Sequence, residues 1–187
     1  MIKIETNASE VVAALAGASK RTVNKAFSHS ANVTISSSRT FILKALAESG
    51  LKRKIGAAAL YFSKSTPETL TASLKDRGRK IPLAAFSPKS KKVKTARGRR
   101  IGVTILIGGN RELVPGGFLA TLKSGKVGVF QRVGSERLPI KQMFAKQLSD
   151  LFHNTSGLPA ATKTFANEIF RKSFKRDFEF YKSKEPK

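Results

Sequence analysis

Residues 101–133 read IGVTILIGGNRELVPGGFLATLKSGKVGVFQRV, and this stretch decides the fold class. Ile101-Gly102-Val103-Thr104-Ile105-Leu106-Ile107 is a short β-branched and aliphatic run, and Gly108-Gly109-Asn110 turns the chain after it, which predicts a strand. Phe118-Leu119-Ala120-Thr121-Leu122 leads into the turn Ser124-Gly125, and Val127 to Val133 returns. Two apolar runs on either side of a short glycine turn predict a β-hairpin. Upstream, Thr69 to Lys75 alternates with period two, as a strand with one solvated face does. Ile81-Pro82-Leu83-Ala84-Ala85-Phe86 carries a proline, which places it at a sheet edge.

Both flanks of this region change period. Val11, Val12, Leu15 and Ala18, then Val23, Phe27 and Ala31, then Phe41, Leu43, Ala45 and Leu46 fall at helical spacing, and residues 8–62 read as helix. The segment Val33-Thr34-Ile35-Ser36-Ser37-Ser38 is β-branched and serine-rich, which predicts an interruption there. Gly50 closes one helix, Leu51 opens the next, and Thr66-Pro67 ends the helical region. At the other flank Phe165, Ile169, Phe174, Phe178 and Tyr181 form one apolar stripe, with a helix start near Ser156, Gly157 and Pro159. Helices, then strands, then helices, without regular alternation, predict an α+β fold with a small antiparallel sheet. The expected organisation is one domain over 1–187: helical over 1–67, β over 68–140 with a basic loop at 87–100, and helical over 141–182.

Charge is the anomaly of the composition. The 187 residues include 36 Lys and Arg against 12 Asp and Glu, a net charge of +24. A compact domain with that charge repels itself unless an anion neutralises it. Nucleic acid, an acidic protein surface and an anionic membrane all qualify, and charge alone does not choose between them. The densest run is Lys89, Lys91, Lys92, Lys94, Arg97, Arg99 and Arg100. With Pro88, Gly98 and few apolar residues beside it, it reads as a mobile loop. It is either plain solvated surface or a contact for phosphates or acidic side chains, made without base readout.

The residue types needed for catalysis do not gather. The two histidines, His29 and His153, stand far apart, and the acids are scattered rather than clustered to hold a divalent metal beside a phosphate. Asp177 and Glu179 are two apart on a predicted helix and face different ways, which favours a structural role. Ser124-Gly125-Lys126 is followed by Val127 and lacks the earlier glycine of a phosphate loop. With no cysteine there is neither a thiol nucleophile nor a thiolate metal site. The expectation is a non-enzymatic protein with no cofactor and no metal. The N-terminus has no apolar core of a signal peptide, and no run approaches the roughly 20 apolar residues of a membrane span. The sequons at Asn7, Asn32 and Asn154 are therefore read as accidental, and synthesis in the cytoplasm is expected.

The stretch from Ile101 to Ile140 resembles the minor tail protein Z family of lambda-like phages and prophages. Val114-Pro115-Gly116-Gly117-Phe118, Leu122-Lys123-Ser124-Gly125-Lys126, Val129-Phe130-Gln131-Arg132-Val133 and Leu138-Pro139-Ile140 carry the resemblance. They match a Pro-Gly-small-Phe turn, a Leu-Lys-Asn/Ser-Gly hairpin tip, a Phe/Met-Gln-Arg strand and a link to Pro-Ile. The match covers about a fifth of the chain; outside it only the order of elements and the basic character agree. Within it, Pro115, Gly116, Gly117, Phe118, Gly125, Gln131, Arg132 and Pro139 are read as builders of the fold, with Phe118 and Phe130 as core anchors. The resemblance implies a virion tail protein, made in the host bacterial cytoplasm, that completes the tail near the head–tail junction. It further implies a homo-oligomeric, hexameric ring, partners among the tail terminator and tail tube, phage DNA in the channel, and no membrane. The rival reading is a free nucleic-acid-binding protein, which accounts for the charge but not for the motif.

Overall fold

A computed structural model describes residues 2–4, 18–95 and 98–184, and the side chains of 2–4 and 92–101 are outside that description. It is an α+β structure of four helices and three small antiparallel sheets among the described residues. The chain divides into two compact units: 1–42 with 60–77 and 156–187, and 43–59 with 78–155. No helix among the described residues is long and apolar enough to cross a membrane.

The first unit is built on two long helices. Helix α1 runs Lys20–Glu48 and contributes its residues up to Ile42 here. Ser19 caps it, its Oγ accepting from the Thr22 amide at 3.2 Å. Val23, Ala26, Phe27, Ser30, Ala31, Thr34, Ile35, Ser38 and Ile42 are buried at intervals of three and four, one continuous face. The interruption expected at residues 33–38 is not there; the helix runs straight through. The reason lies in where the hydroxyls go. Ser30 Oγ donates to the Ala26 carbonyl and Thr34 Oγ1 to the Ser30 carbonyl, both at 2.7 Å, so these side chains bond back to the helix instead of competing with it.

The second long helix of this unit spans Leu158–Lys182, numbered α4 below. Gly157 precedes it at φ +72, and Pro159 sits in its first turn, where a missing amide proton costs nothing. Leu158, Thr162, Ala166, Ser173 and Asp177 form its buried stripe, with phenylalanines along the flank. Phe41 stacks on Phe165 at 4.7 Å between ring centres, and Phe27 meets the edge of Phe170 at 5.3 Å, so α1 and α4 pack side by side. A three-stranded antiparallel sheet completes the unit, ordered β1 (Ile2–Ile4), β3 (Ala72–Asp76), β2 (Leu60–Ser63). The helix expected to run through residue 62 thus gives way to strand β2 at Leu60. Asn32 holds the chain leaving β2: its amide nitrogen donates to the Ser65 carbonyl at 3.0 Å, and its oxygen accepts from the Ser65 amide at 2.7 Å.

The second unit opens with the end of α1. Leu51 N–H reaches the Leu46 carbonyl and Gly50 N–H the Ala47 carbonyl, the paired bonds of a glycine-closed helix, with Gly50 at φ +103. Helix α2 (Arg53–Ala59) follows. The apolar segment at 81–86 is not an edge strand. Pro82 makes an isolated bridge to Phe144, and Leu83–Ala85 winds into a 3₁₀ turn, because Ala85 and Phe86 bond three residues back. Two sheets surround it: β4 (Lys89–Thr95), β5 (Gly98–Ile107) and β6 (Asn110–Val114) in that order, and β7 (Gly117–Thr121), β8 (Val127–Arg132) and β9 (Ile140–Gln142) in that order. The backbone ties them through the 3₁₀ segment. Leu106 N–H bonds to the Phe86 carbonyl, Lys52 N–H to Ala85, Leu83 N–H to Met143, and Met143 N–H to Val129. Ile81, Phe86, Val103, Val129 and Leu148 fill the core. Helix α3 (Leu148–Asn154) ends the unit, its start closed by a reciprocal Gln147–Asp150 capping box.

Candidate functional site

The residues that carry the resemblance converge in the β7–β8–β9 sheet of the second unit. The hairpin expected from sequence forms, with Phe118 opposite Phe130 and Gly117 opposite Gln131. Pro115 and Gly116, at φ +64, reverse the chain out of β6. Gly117 passes so close to Val114 that a β-carbon there would lie 2.8 Å from a valine methyl. Gln131 Nε2 donates to the Pro115 carbonyl at 3.1 Å, so the Pro-Gly-Gly turn and the Gln-Arg strand are held to each other. Arg132 lies over the Phe118 ring at 5.5 Å, and its Nη1 donates to the Glu136 carbonyl at 3.4 Å. Val133 N–H bonds to the Pro139 carbonyl, and the Leu138–Pro139 peptide is cis. Gly125, at φ +75, forms the β7–β8 tip. Phe130 is a core residue, but Phe118, opposite it on the same sheet face, is only half-buried, with Arg132 lying over its ring.

The basic segment is a strand, not a loop. β4 pairs with β5 along its whole length, from Lys89 opposite Thr104 to Thr95 opposite Gly98. The register sets Lys94 opposite Arg99, and Val93 opposite Arg100. Like charges opposite one another on a two-stranded ribbon destabilise it unless an anion lies nearby. Lys89 and Lys91 are exposed, and Arg97 lies outside the described residues. The structure therefore gathers Lys89, Lys91, Lys92, Lys94, Arg99 and Arg100 onto one ribbon that projects from β5, whose other end is buried at Val103, Thr104 and Ile105.

In the first unit, sequence reasoning missed a polar cluster. His29 does not stand alone: its Nδ1 lies 2.7 Å from Asp177 Oδ2. Ser30 Oγ is 3.0 Å from the same oxygen, and Arg176 donates to Oδ1 through Nε at 2.9 Å. The Asp177 side chain is 7% exposed, whereas those of His29 and Arg176 are 53% and 63% exposed. Burial pushes the Asp177 pKa up, but the hydrogen bonds from His29, Arg176 and Ser30 together outweigh it and hold the carboxyl below its usual range. The signal available in sequence was an acid falling in step with the buried stripe Thr162, Ala166, Ser173 of α4. Chemically the cluster ties α4 to α1. No group of three His, Cys, Asp or Glu that could hold a metal ion occurs among the described residues. His153 is exposed at the end of α3 and sits edge-on to Phe152. No family model, no curated protein and no solved structure matches the chain.

Proposed function

We propose that this chain is a structural virion protein: a minor tail protein that completes the tail of a long-tailed phage as a homo-oligomeric, hexameric ring near the head–tail junction. One observation carries the reading. The residues of the tail-protein resemblance, separated in sequence, meet in a single sheet where Gln131 holds the Pro115 turn. The basic ribbon adds to it, since a ring beside a DNA channel or an acidic neighbouring ring needs cations at its contact surface. In this reading the protein is not an enzyme. Its partners are the tail terminator, the tail tube and, through the ribbon, the phosphates of DNA in the channel.

Deletion of the coding sequence from its prophage tests this. Induced lysates should then contain heads and tails but few infectious particles, with infectivity restored by a plasmid copy. Undiminished infectivity without the gene would refute the reading. A second reading, a free nucleic-acid-binding protein, is favoured by the ribbon alone. It predicts salt-sensitive DNA binding by a monomer or dimer, and no dependence of particle formation on the gene.

A further inference from the structure

The outer part of the basic ribbon is only two strands wide. β6 pairs with β5 from Val103 to Ile107 and no further, so the pairs from Lys91–Gly102 to Thr95–Gly98 have no third strand beside them among the described residues. At the root of the ribbon Val103 and Thr104, neighbours on opposite faces of β5, are both buried. The core therefore covers both faces there and singles out neither as the inner one. Across from them on β4, Lys89, Ser90 and Lys91 are exposed. Residues 77–111 contain no Asp or Glu, so the ribbon carries no acid of its own to offset its charge.

The register divides that charge evenly. Successive pairs in an antiparallel ladder alternate between the two faces. Positions 92, 94 and 99 fall on the face of Val103, and positions 89, 91 and 100 on the face of Thr104. Each face thus holds three cationic residues, Lys92, Lys94 and Arg99 on one, Lys89, Lys91 and Arg100 on the other. A flat anionic surface, such as an acidic protein face, meets one side of a ribbon and leaves the three cations of the other side unmatched. A single nucleic-acid strand offers one line of phosphates and does the same. A groove of a duplex has a phosphate backbone on each wall. The major groove of B-DNA is about 12 Å wide and admits a two-stranded ribbon, whereas the minor groove, about 6 Å wide, is too narrow. Side chains on the two faces of a ribbon together span about 10 Å, which matches the wider groove.

We infer that the β4–β5 ribbon enters the major groove of duplex DNA edge-on, the face of Lys92, Lys94 and Arg99 against one phosphate backbone and the face of Lys89, Lys91 and Arg100 against the other. The inference rests on the contact with channel DNA in the proposed function and gives that contact its geometry. Both faces are matched at once, so the like charges set opposite each other in the ladder no longer repel unopposed. The contacts fall on phosphates, so the grip does not depend on base sequence. Each phosphate neutralised releases counterions, so binding weakens steeply with salt and both faces contribute to the steepness.

Fluorescence anisotropy of labelled duplex DNA with the full chain, over a range of salt concentration, is the test. The wild type should bind duplexes of unrelated sequence alike, and bind single-stranded DNA and polyglutamate more weakly. Two triple variants separate the faces: Lys92→Ser, Lys94→Ser and Arg99→Ser on one, Lys89→Ser, Lys91→Ser and Arg100→Ser on the other. Each should lower the slope of log K against log salt by about 2–3 while melting like the wild type. If a serine triple fails to fold, glutamine at the same three positions keeps the side-chain stems and should lower the slope equally. Methyl green, which occupies the major groove, should displace the protein, and netropsin, which occupies the minor groove, should not. A wild type that does not bind duplex DNA, a slope that responds to one face only, polyglutamate bound as tightly as duplex, or displacement by netropsin alone would each overturn the inference. The deletion test of infectivity judges the virion reading separately. Infectivity lost with the gene, together with no duplex binding, would leave that reading standing without this contact. Two-faced duplex binding with undiminished infectivity would leave the contact standing without the virion.

Discussion

Replacing Asp177 with Asn keeps the shape of the side chain and removes its charge. In the wild type the carboxylate meets a donor of each of three residues, on His29, Ser30 and Arg176. Their weights differ with exposure. Ser30 is fully buried, but its one proton is shared between the Asp177 carboxylate and the Ala26 carbonyl, so its bond to the charged acceptor stays at about 1–1.5 kcal/mol. His29 and Arg176 are half-exposed or more, so water screens both pairs to about 0.5 kcal/mol each. The sum is about 2 kcal/mol, which for a chain of this size lowers the melting temperature by about 4–8 °C. The pH dependence has a fixed sign. The folded carboxyl titrates below its unfolded value, so its contribution is complete above that unfolded value and fades as pH falls through the folded one. The gap between wild type and Asp177→Asn should therefore shrink as pH falls below about pH 4. Calorimetry or circular dichroism melts at a series of pH values would measure it. A variant that melts within a degree of the wild type at neutral pH, or a gap that widens as pH falls below about 4, would refute the account of this cluster.

Phe130→Ala should cost about 3–5 kcal/mol, read by denaturant unfolding, because the ring is 5% exposed in the core of the second unit. Gly50→Ala should cost about 1–3 kcal/mol in the same assay, since Gly50 sits at φ +103 and a β-carbon there would run into the Leu106 carbonyl. Replacing Lys91, Lys92, Lys94, Arg97, Arg99 and Arg100 with Ser should leave the melting temperature nearly unchanged. If all six reach phosphate, it should also reduce the slope of log K against log salt for duplex DNA by about 5. An unchanged slope would return the ribbon to plain solvated surface.

How far the sequence could be read depended on whether the deciding interaction was local. The Phe118–Phe130 hairpin was legible because its two apolar runs and glycine turn are written within the 16 residues Gly117–Arg132. The helix α4 and its start after Gly157 were legible for the same reason, but its buried stripe was not: the sequence pointed to Phe165, Ile169, Phe174, Phe178 and Tyr181, which are only half-buried beside the stripe of Leu158, Thr162, Ala166, Ser173 and Asp177. Strand β4 was not. Its lysines and serine favour a solvated loop taken alone, and only hydrogen bonding to β5 makes it a strand. The serine-rich middle of α1 misled in the opposite direction. Propensity counted its hydroxyls against the helix, while burial against α4 and bonding to carbonyls four residues back kept it. The tie between His29 and Asp177 joins positions 148 residues apart, and no spacing rule announces such a pair.

Strand β5 belongs to two environments at once. Its second half lies in the core and holds β6, while its first half is one leg of the basic ribbon. No hinge separates the two, since the ten residues Gly98–Ile107 form a single strand. Anything that grips the ribbon therefore pulls on the core along the strand's own axis. The bonds to β6 and from Leu106 to Phe86 run across that axis, so a tug on the ribbon loads them together, in shear, instead of peeling them apart one by one. The second unit is built as an anchor: a load at the ribbon is borne by the whole width of the sheet before any single bond gives way.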